Sequence, residues 1–77
     1  MALRALAWTV AEQARADRML AMTGLFADDL RERAMEPVVL AALLNFLEAY
    51  EPDLIACAEA LEVKPTDLVQ AREALEA

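Results

Sequence analysis

Apolar residues recur along this chain at three- and four-residue spacing, in blocks too short for one long helix, with helix-starting and helix-stopping residues between them. Leu3, Leu6 and Val10, with Ala7 and Ala14 beside them, form a first stripe; Ala16, Met19, Leu20 and Thr23 form a second. At about 100° per residue, one continuous helix would set these stripes on nearly opposite sides, so the chain is expected to bend near Glu12 to Arg15. Gly24, the only glycine, is expected to take the left-handed position that ends the second helix. Leu25 then folds back onto Leu20 as in a Schellman stop.

Pro37, Pro52 and Pro65 each stand directly before an apolar run. Proline is tolerated in the first helical turn, where its missing N–H has no partner to lose and its ring already holds a helical φ, so each reads as a start. Asp28 and Asp29 fall in the first turn of a brief third helix, at its positive dipole end, with Phe26, Leu30 and Ala34 along one side. In the fourth helix Val38, Val39, Leu40, Leu43, Leu44, Phe46, Leu47 and Tyr50 cover nearly the whole circumference, which belongs at the centre of a bundle. In the fifth, Leu54, Ala58 and Leu61 form the inward stripe, flanked by Ile55 and Cys57. The sixth carries Asp67 in its first turn and faces Leu68, Ala71 and Leu75 inward. The predicted fold class is all-α: one domain over residues 1–77, a compact bundle of five to six short helices around a central apolar helix at about 37–50.

Length makes such a bundle marginal. A chain of 77 residues buries only about 60% of the surface its unfolded form exposes. Its apolar content of 60% is rich in alanine, which adds little area per residue, and self-association to a homodimer would supply more. Charge is uneven. From Met1 to Met35 five arginines balance five carboxylates, while the remainder holds nine carboxylates against Lys64 and Arg72, so the net charge of -7 sits on the C-terminal half. An acidic surface repels phosphate backbones and anionic headgroups, which disfavours nucleic-acid and membrane roles and favours basic partners. Ala5 to Ala11 is apolar behind Arg4, but Glu12 closes the run too early for a signal-peptide core. The longest apolar run, Val38 to Leu47, is interrupted by Asn45 and is far short of the ~20 residues that span a bilayer. The single cysteine, Cys57, precludes an internal disulfide and fits a reducing compartment. A cytoplasmic protein is expected.

Missing residue types restrict the chemistry. The chain has no histidine and no serine, so it lacks histidine-paired nucleophiles and the usual zinc ligand sets. Cys57 has Glu59 near and no adjacent cation, and is read as a small, inert core residue. The carboxylates Asp28, Asp29, Glu32 and Glu48, Glu51, Asp53 cluster at expected helix ends, where capping and dipole effects account for them, and neither set has the glycine and alternating oxygens of a calcium loop. No catalytic residue, metal, cofactor or small-molecule substrate is implied.

Two features bear on partners. Trp8 lies away from Leu3, Leu6 and Val10 on the helical wheel, near Arg4, Glu12 and Arg15. It is either an edge residue covered by a neighbouring helix or, with Arg4 and Arg15, part of a partner or dimer surface. Residues 54–76 have the outline of a helix-turn-helix, with Leu61, Val63, Leu68 and Ala71 as internal contacts. Its second helix, however, exposes Thr66, Asp67, Gln70, Glu73 and Glu76 with Arg72 as its sole cation, a poor match to DNA.

The stretches RMLAMTGL, LRERAMEPVVLAALLNFL and EVKPTDLVQAREAL, in that order, resemble a family of short bacterial all-helical proteins, domain-of-unknown-function family 3572. The resemblance rests on Thr23-Gly24-Leu25 after Met19-Leu20, on Leu30-Arg31, on the Pro37 helix and on Ala71-Arg72. It implies a compact helical domain and no activity. Glu12-Gln13 and Phe26-Ala27 depart from the Asp-Pro helix starts of that pattern, and Glu62 stands at its usual glycine, where a left-handed non-glycine residue costs about 1 kcal/mol. The expected function is a non-catalytic protein-interaction or structural module. The alternative is a helix-turn-helix DNA-binding regulator using residues 54–76.

Overall fold

Helix boundaries fall largely where the punctuation residues stand. The protein is described over residues 1–77 by a computed structural model. It consists of α1 (Ala2–Val10), α2 (Gln13–Thr23), α3 (Ala27–Arg33), α4 (Pro37–Ala49), α5 (Glu51–Leu61) and α6 (Pro65–Glu76), with no strand. Pro37 and Pro65 are the first residues of α4 and α6, and Pro52 is the second residue of α5. The predicted bend separates α1 from α2, where Glu12 is extended (φ -116°, ψ 126°). In place of side-chain N-caps, the Phe26 N–H donates to Asp29 Oδ2 at 2.8 Å and the Lys64 N–H to Asp67 Oδ2 at 3.0 Å. Each is half of a capping box and puts a carboxylate at a helix N-terminus.

The two left-handed stops are built differently, and the Schellman geometry lies at the one not expected to carry it. Gly24 (φ 76°) makes a single bond from its N–H to the Leu20 carbonyl, while the Leu25 N–H goes to Thr23 Oγ1 at 3.3 Å. That is the simpler αL stop. At Glu62 (φ 60°, ψ 42°) the N–H bonds to the Glu59 carbonyl and the Val63 N–H to the Ala58 carbonyl, with Val63 and Ala58 both packed into the core. This is the complete double-bonded motif on a residue with a Cβ. Its bonds and apolar contact hold Glu62 in a conformation that glycine would adopt without strain.

Helix α4 contacts all five other helices and buries Val39, Leu40, Ala41, Leu43, Leu44, Phe46 and Leu47. Each large apolar side chain so buried contributes about 2 kcal/mol of transfer free energy. The apolar surface does not run all round: Val38 and Tyr50 are exposed. Tyr50 ends α4 and begins α5, its N–H bonding to the Leu47 carbonyl and its carbonyl accepting from Asp53 and Leu54, so this corner holds the side chain outward. Leu68 of α6 and Met19 of α2 close the core on either side, with Ala71, Leu75 and Leu20 at its margin.

Several facings differ from the periodicity. In α1 the buried residues are Ala5, Leu6 and Thr9, while Leu3 and Val10 are exposed. Alanine and threonine let α1 lie close against its neighbours, and the Thr9 hydroxyl is satisfied by the Ala5 carbonyl at 2.9 Å, so its burial leaves no lone donor. Phe26 does not line α3 with Leu30 and Ala34; as the extended residue before the helix it is 75% exposed. In α5 Cys57 is central and Ile55 lies outside, because α1, α4 and α6 all pack against this helix and shift its buried face toward Cys57. The principal extents are 29 × 29 × 18 Å, so the bundle is flattened. No helix is long and apolar enough to cross a membrane.

Candidate functional site

The face of α4 left open by its neighbours carries Val38, Ala42, Asn45 and Ala49, one residue per turn. Between this row and α2 lies a cavity of 1010 Å³, lined among others by Met22, Phe46, Ala49 and Tyr50 and closed at the start of α5 by Pro52 and Asp53. On the other side, between the row and the end of α6, a shallower and more open depression is lined by Val38, Leu75 and Glu76. Ala42 and Asn45 border both, so the two recesses adjoin along the α4 row and are called its trough. From Val38 to Ala49 it runs about 17 Å, three helical turns. Met22, 72% exposed, stands on its α2 wall.

Polar contacts are fixed at two places in this largely apolar trough: Asn45 Nδ2 donates to Glu76 Oε2 at 3.3 Å between α4 and α6, and Arg18 meets Asp53 at the α5 end. Arg18 Nη1 donates to Asp53 Oδ2 at 2.9 Å, joining α2 to α5, with Asp53 the more buried partner. The Arg18 guanidinium carbon lies 5.6 Å from the Tyr50 ring centre and 6.0 Å from that of Phe46, within cation–π range. The pairing brings a buried carboxylate and an aromatic-stacked cation to the same wall, and the charge of each is met by the other. Sequence periodicity gave no hint of it, since Arg18 and Asp53 are 35 residues apart.

Trp8, Arg4 and Arg15 are brought together with intramolecular partners. Trp8 is half-buried against the core, and the Arg15 guanidinium covers its ring at 3.7 Å while donating to the Trp8 carbonyl at 2.6 Å and to Glu12 Oε2 at 3.0 Å. Arg15 Nε is buried without a partner. Arg4 donates to the Leu61 carbonyl at 3.3 Å, a cation on the C-terminal end of α5.

The carboxylate groups do not assemble into a centre, and no three histidine, cysteine, aspartate or glutamate side chains converge on a point that could hold a metal. Asp28 pairs with Arg31, Asp29 with Arg33, and Glu48 with Arg72. The hydrogen bonds Arg72 donates to Glu48, and secondarily to Glu76, raise its pKa further above the usual arginine range, and hold α6 against α4. Arg72 therefore faces carboxylates of this chain rather than projecting from the exposed side of α6. Cys57 is fully buried, and that burial pushes its thiol up to about 11 despite the opposing charge of Arg15; Asp53 raises it slightly more. Such a thiol is neutral and unreactive near neutral pH.

An all-α bundle with an apolar trough along the outer face of its central helix is the class of protein these features define. The chain belongs to the family described as "Protein of unknown function (DUF3572)", whose model matches residues 1–77. No curated protein and no solved structure matches it.

Proposed function

We propose that this domain is a non-catalytic protein-interaction module that works in the cytoplasm and receives its partner on the outer face of α4. The observation that carries this reading is the three-turn trough itself: Ala42 and Ala49 are short enough for a backbone to approach closely, with a mainly apolar recess toward α2 and a shallower one toward α6. Helix-in-groove recognition needs that shape, a shallow track with flanking sockets for side chains at helical spacing. A non-catalytic role is supported by the residue types present, by the neutral, buried Cys57 and by the pairing of Asp53, Glu48 and Glu76 with arginines. The engagement of Trp8, Arg4 and Arg15 within the chain favours the α4 face over theirs as the contact surface.

The test is capture of partners by the tagged protein from its native lysate, with and without nuclease, in wild type and in Ala49→Arg. A stoichiometric protein that survives nuclease and disappears with Ala49→Arg, while circular dichroism shows the variant folded, is the expected result. Retention by the variant would move the contact elsewhere on the molecule. Loss of all captured material on nuclease treatment would refute the protein-interaction reading.

A further inference from the structure

Resting on the interaction reading just given, we infer that the occupant of the α4 trough is a basic amphipathic helix of a different protein, not a second copy of this chain. Two walls and the floor of the trough come from α4, α5 and α6, the half of the sequence that holds all of the net charge of -7. The cations nearest the trough are already neutralised, Arg18 by Asp53 and Arg72 by Glu48 and Glu76. Glu51 beside Pro52, and Glu73 on the turn of α6 that lies level with Glu48, are both toward the Ala49 end; they are exposed and make no ion pair. An apolar track in an acidic half of the molecule, with unpaired carboxylates at one end, attracts a helix that carries an apolar stripe beside lysines or arginines.

A second copy is the poorer occupant on two counts. It brings the same net charge of -7, and like-charged surfaces repel on approach. The accessible surface is 4610 Å², against about 4650 Å² expected for a compact monomer of this mass. The chain closes on itself as a self-contained unit, not as half of an obligate dimer. The length of the trough matches a three-turn helix, with Met22, Phe46 and Tyr50 around one socket and Val38 and Leu75 around the other.

The probe is a synthetic helical peptide of about 14 residues, with leucines at helical spacing and lysines elsewhere. It is compared with a glutamate-for-lysine peptide of the same pattern and with a scrambled leucine-lysine peptide. Amide-resolved NMR titration of the whole protein reads affinity and location, and sedimentation equilibrium reads self-association. The patterned basic peptide is expected to bind at least about ten-fold more tightly than either control, with shifts concentrated at residues 18–23 and 42–49. Ala49→Arg is expected to weaken it about ten-fold, and the charge-matched Ala60→Arg on the exposed side of α5 to leave it unchanged.

Equal binding of the scrambled peptide, or shifts spread over the acidic surface, would overturn the inference by showing charge attraction without a groove. So would failure of all three peptides to bind. A concentration-dependent dimer dissociated by Ala49→Arg would install a second copy as the occupant, ending the basic-partner inference while leaving the interaction surface in place. A monomer that binds no peptide and whose lysate capture is unaffected by Ala49→Arg would remove both.

Discussion

Replacing Glu62 by glycine is expected to stabilise this protein, although no side-chain contact is gained. Glu62 holds φ 60° and ψ 42°, a left-handed conformation that costs a residue with a Cβ about 1–2 kcal/mol. Glycine removes that strain but gives the unfolded chain more freedom, a loss of about 0.4–1 kcal/mol. The expected net gain is about 0.5–1 kcal/mol, a rise in Tm of about 2–8 °C for a domain this size. Glu62 also places a negative charge at the C-terminal end of α5, so its removal contributes a few tenths of a kcal/mol, about 0.3, by itself. Glu62→Ala isolates that contribution, because alanine loses the charge and keeps the Cβ. Thermal and urea unfolding followed by circular dichroism should therefore rank glycine above alanine, and alanine at or slightly above wild type. If glycine proved no more stable than alanine, the strain assigned to this corner would not exist, and the bonds from Glu62 and Val63 would not be holding an unfavourable conformation.

Four further outcomes are expected. Leu43→Ala, at a fully buried position of α4, should cost about 2–5 kcal/mol in urea unfolding. Val38→Ala on the same helix, at a position 63% exposed, should change stability by no more than about 0.5 kcal/mol; comparable losses would contradict the open face of α4. A double-mutant cycle on Arg18 and Asp53 should give a coupling of about 1 kcal/mol, whereas Arg31 and Asp28, both largely exposed and 3.5 Å apart, should couple by about 0.3 kcal/mol or less. Cys57 in the native protein should react with a disulfide reagent at pH 8 about a hundred-fold more slowly than in urea, because its thiol titrates near 11 instead of its ordinary value of 9.0. By the same shift the unfolded thiol loses its proton first, so stability should fall by about 2 kcal/mol as pH rises from 9 to 11, a slope that Cys57→Ala removes in pH-dependent denaturation.

Much of the architecture was legible because its signals are local. A proline before an apolar run and a lone glycine after a periodic one act within a single turn, through a missing donor and an accessible positive φ. They placed the breaks before α4, α5 and α6 and after α2. The bend after α1 followed from two stripes that could not share one face. Facing was legible only where large apolar residues dominated, as with Met19, Leu43, Leu47 and Leu68. It misled in α1, where wheel position favours Leu3 and Val10 but close packing selected Ala5 and Thr9. It also misled at Phe26 and Tyr50, where the corner geometry directs the side chain and hydrophobicity does not.

From its composition alone, the chain had to lack histidine- and serine-based chemistry and carry its negative charge on the C-terminal half, and its periodicity specified an all-α bundle. These properties are sums or short-range patterns, unaffected by how distant segments meet. The trough, the Arg18–Asp53 tie across its end and the Arg15 cover over Trp8 were decided only by tertiary structure. Each depends on residues from different helices arriving at one place, and it is the packing of α2 and α6 against α4 that leaves Val38, Ala42, Asn45 and Ala49 facing outward. A sequence pattern records which residues are apolar, but which of them remain open to a partner depends on how far neighbouring helices extend over them.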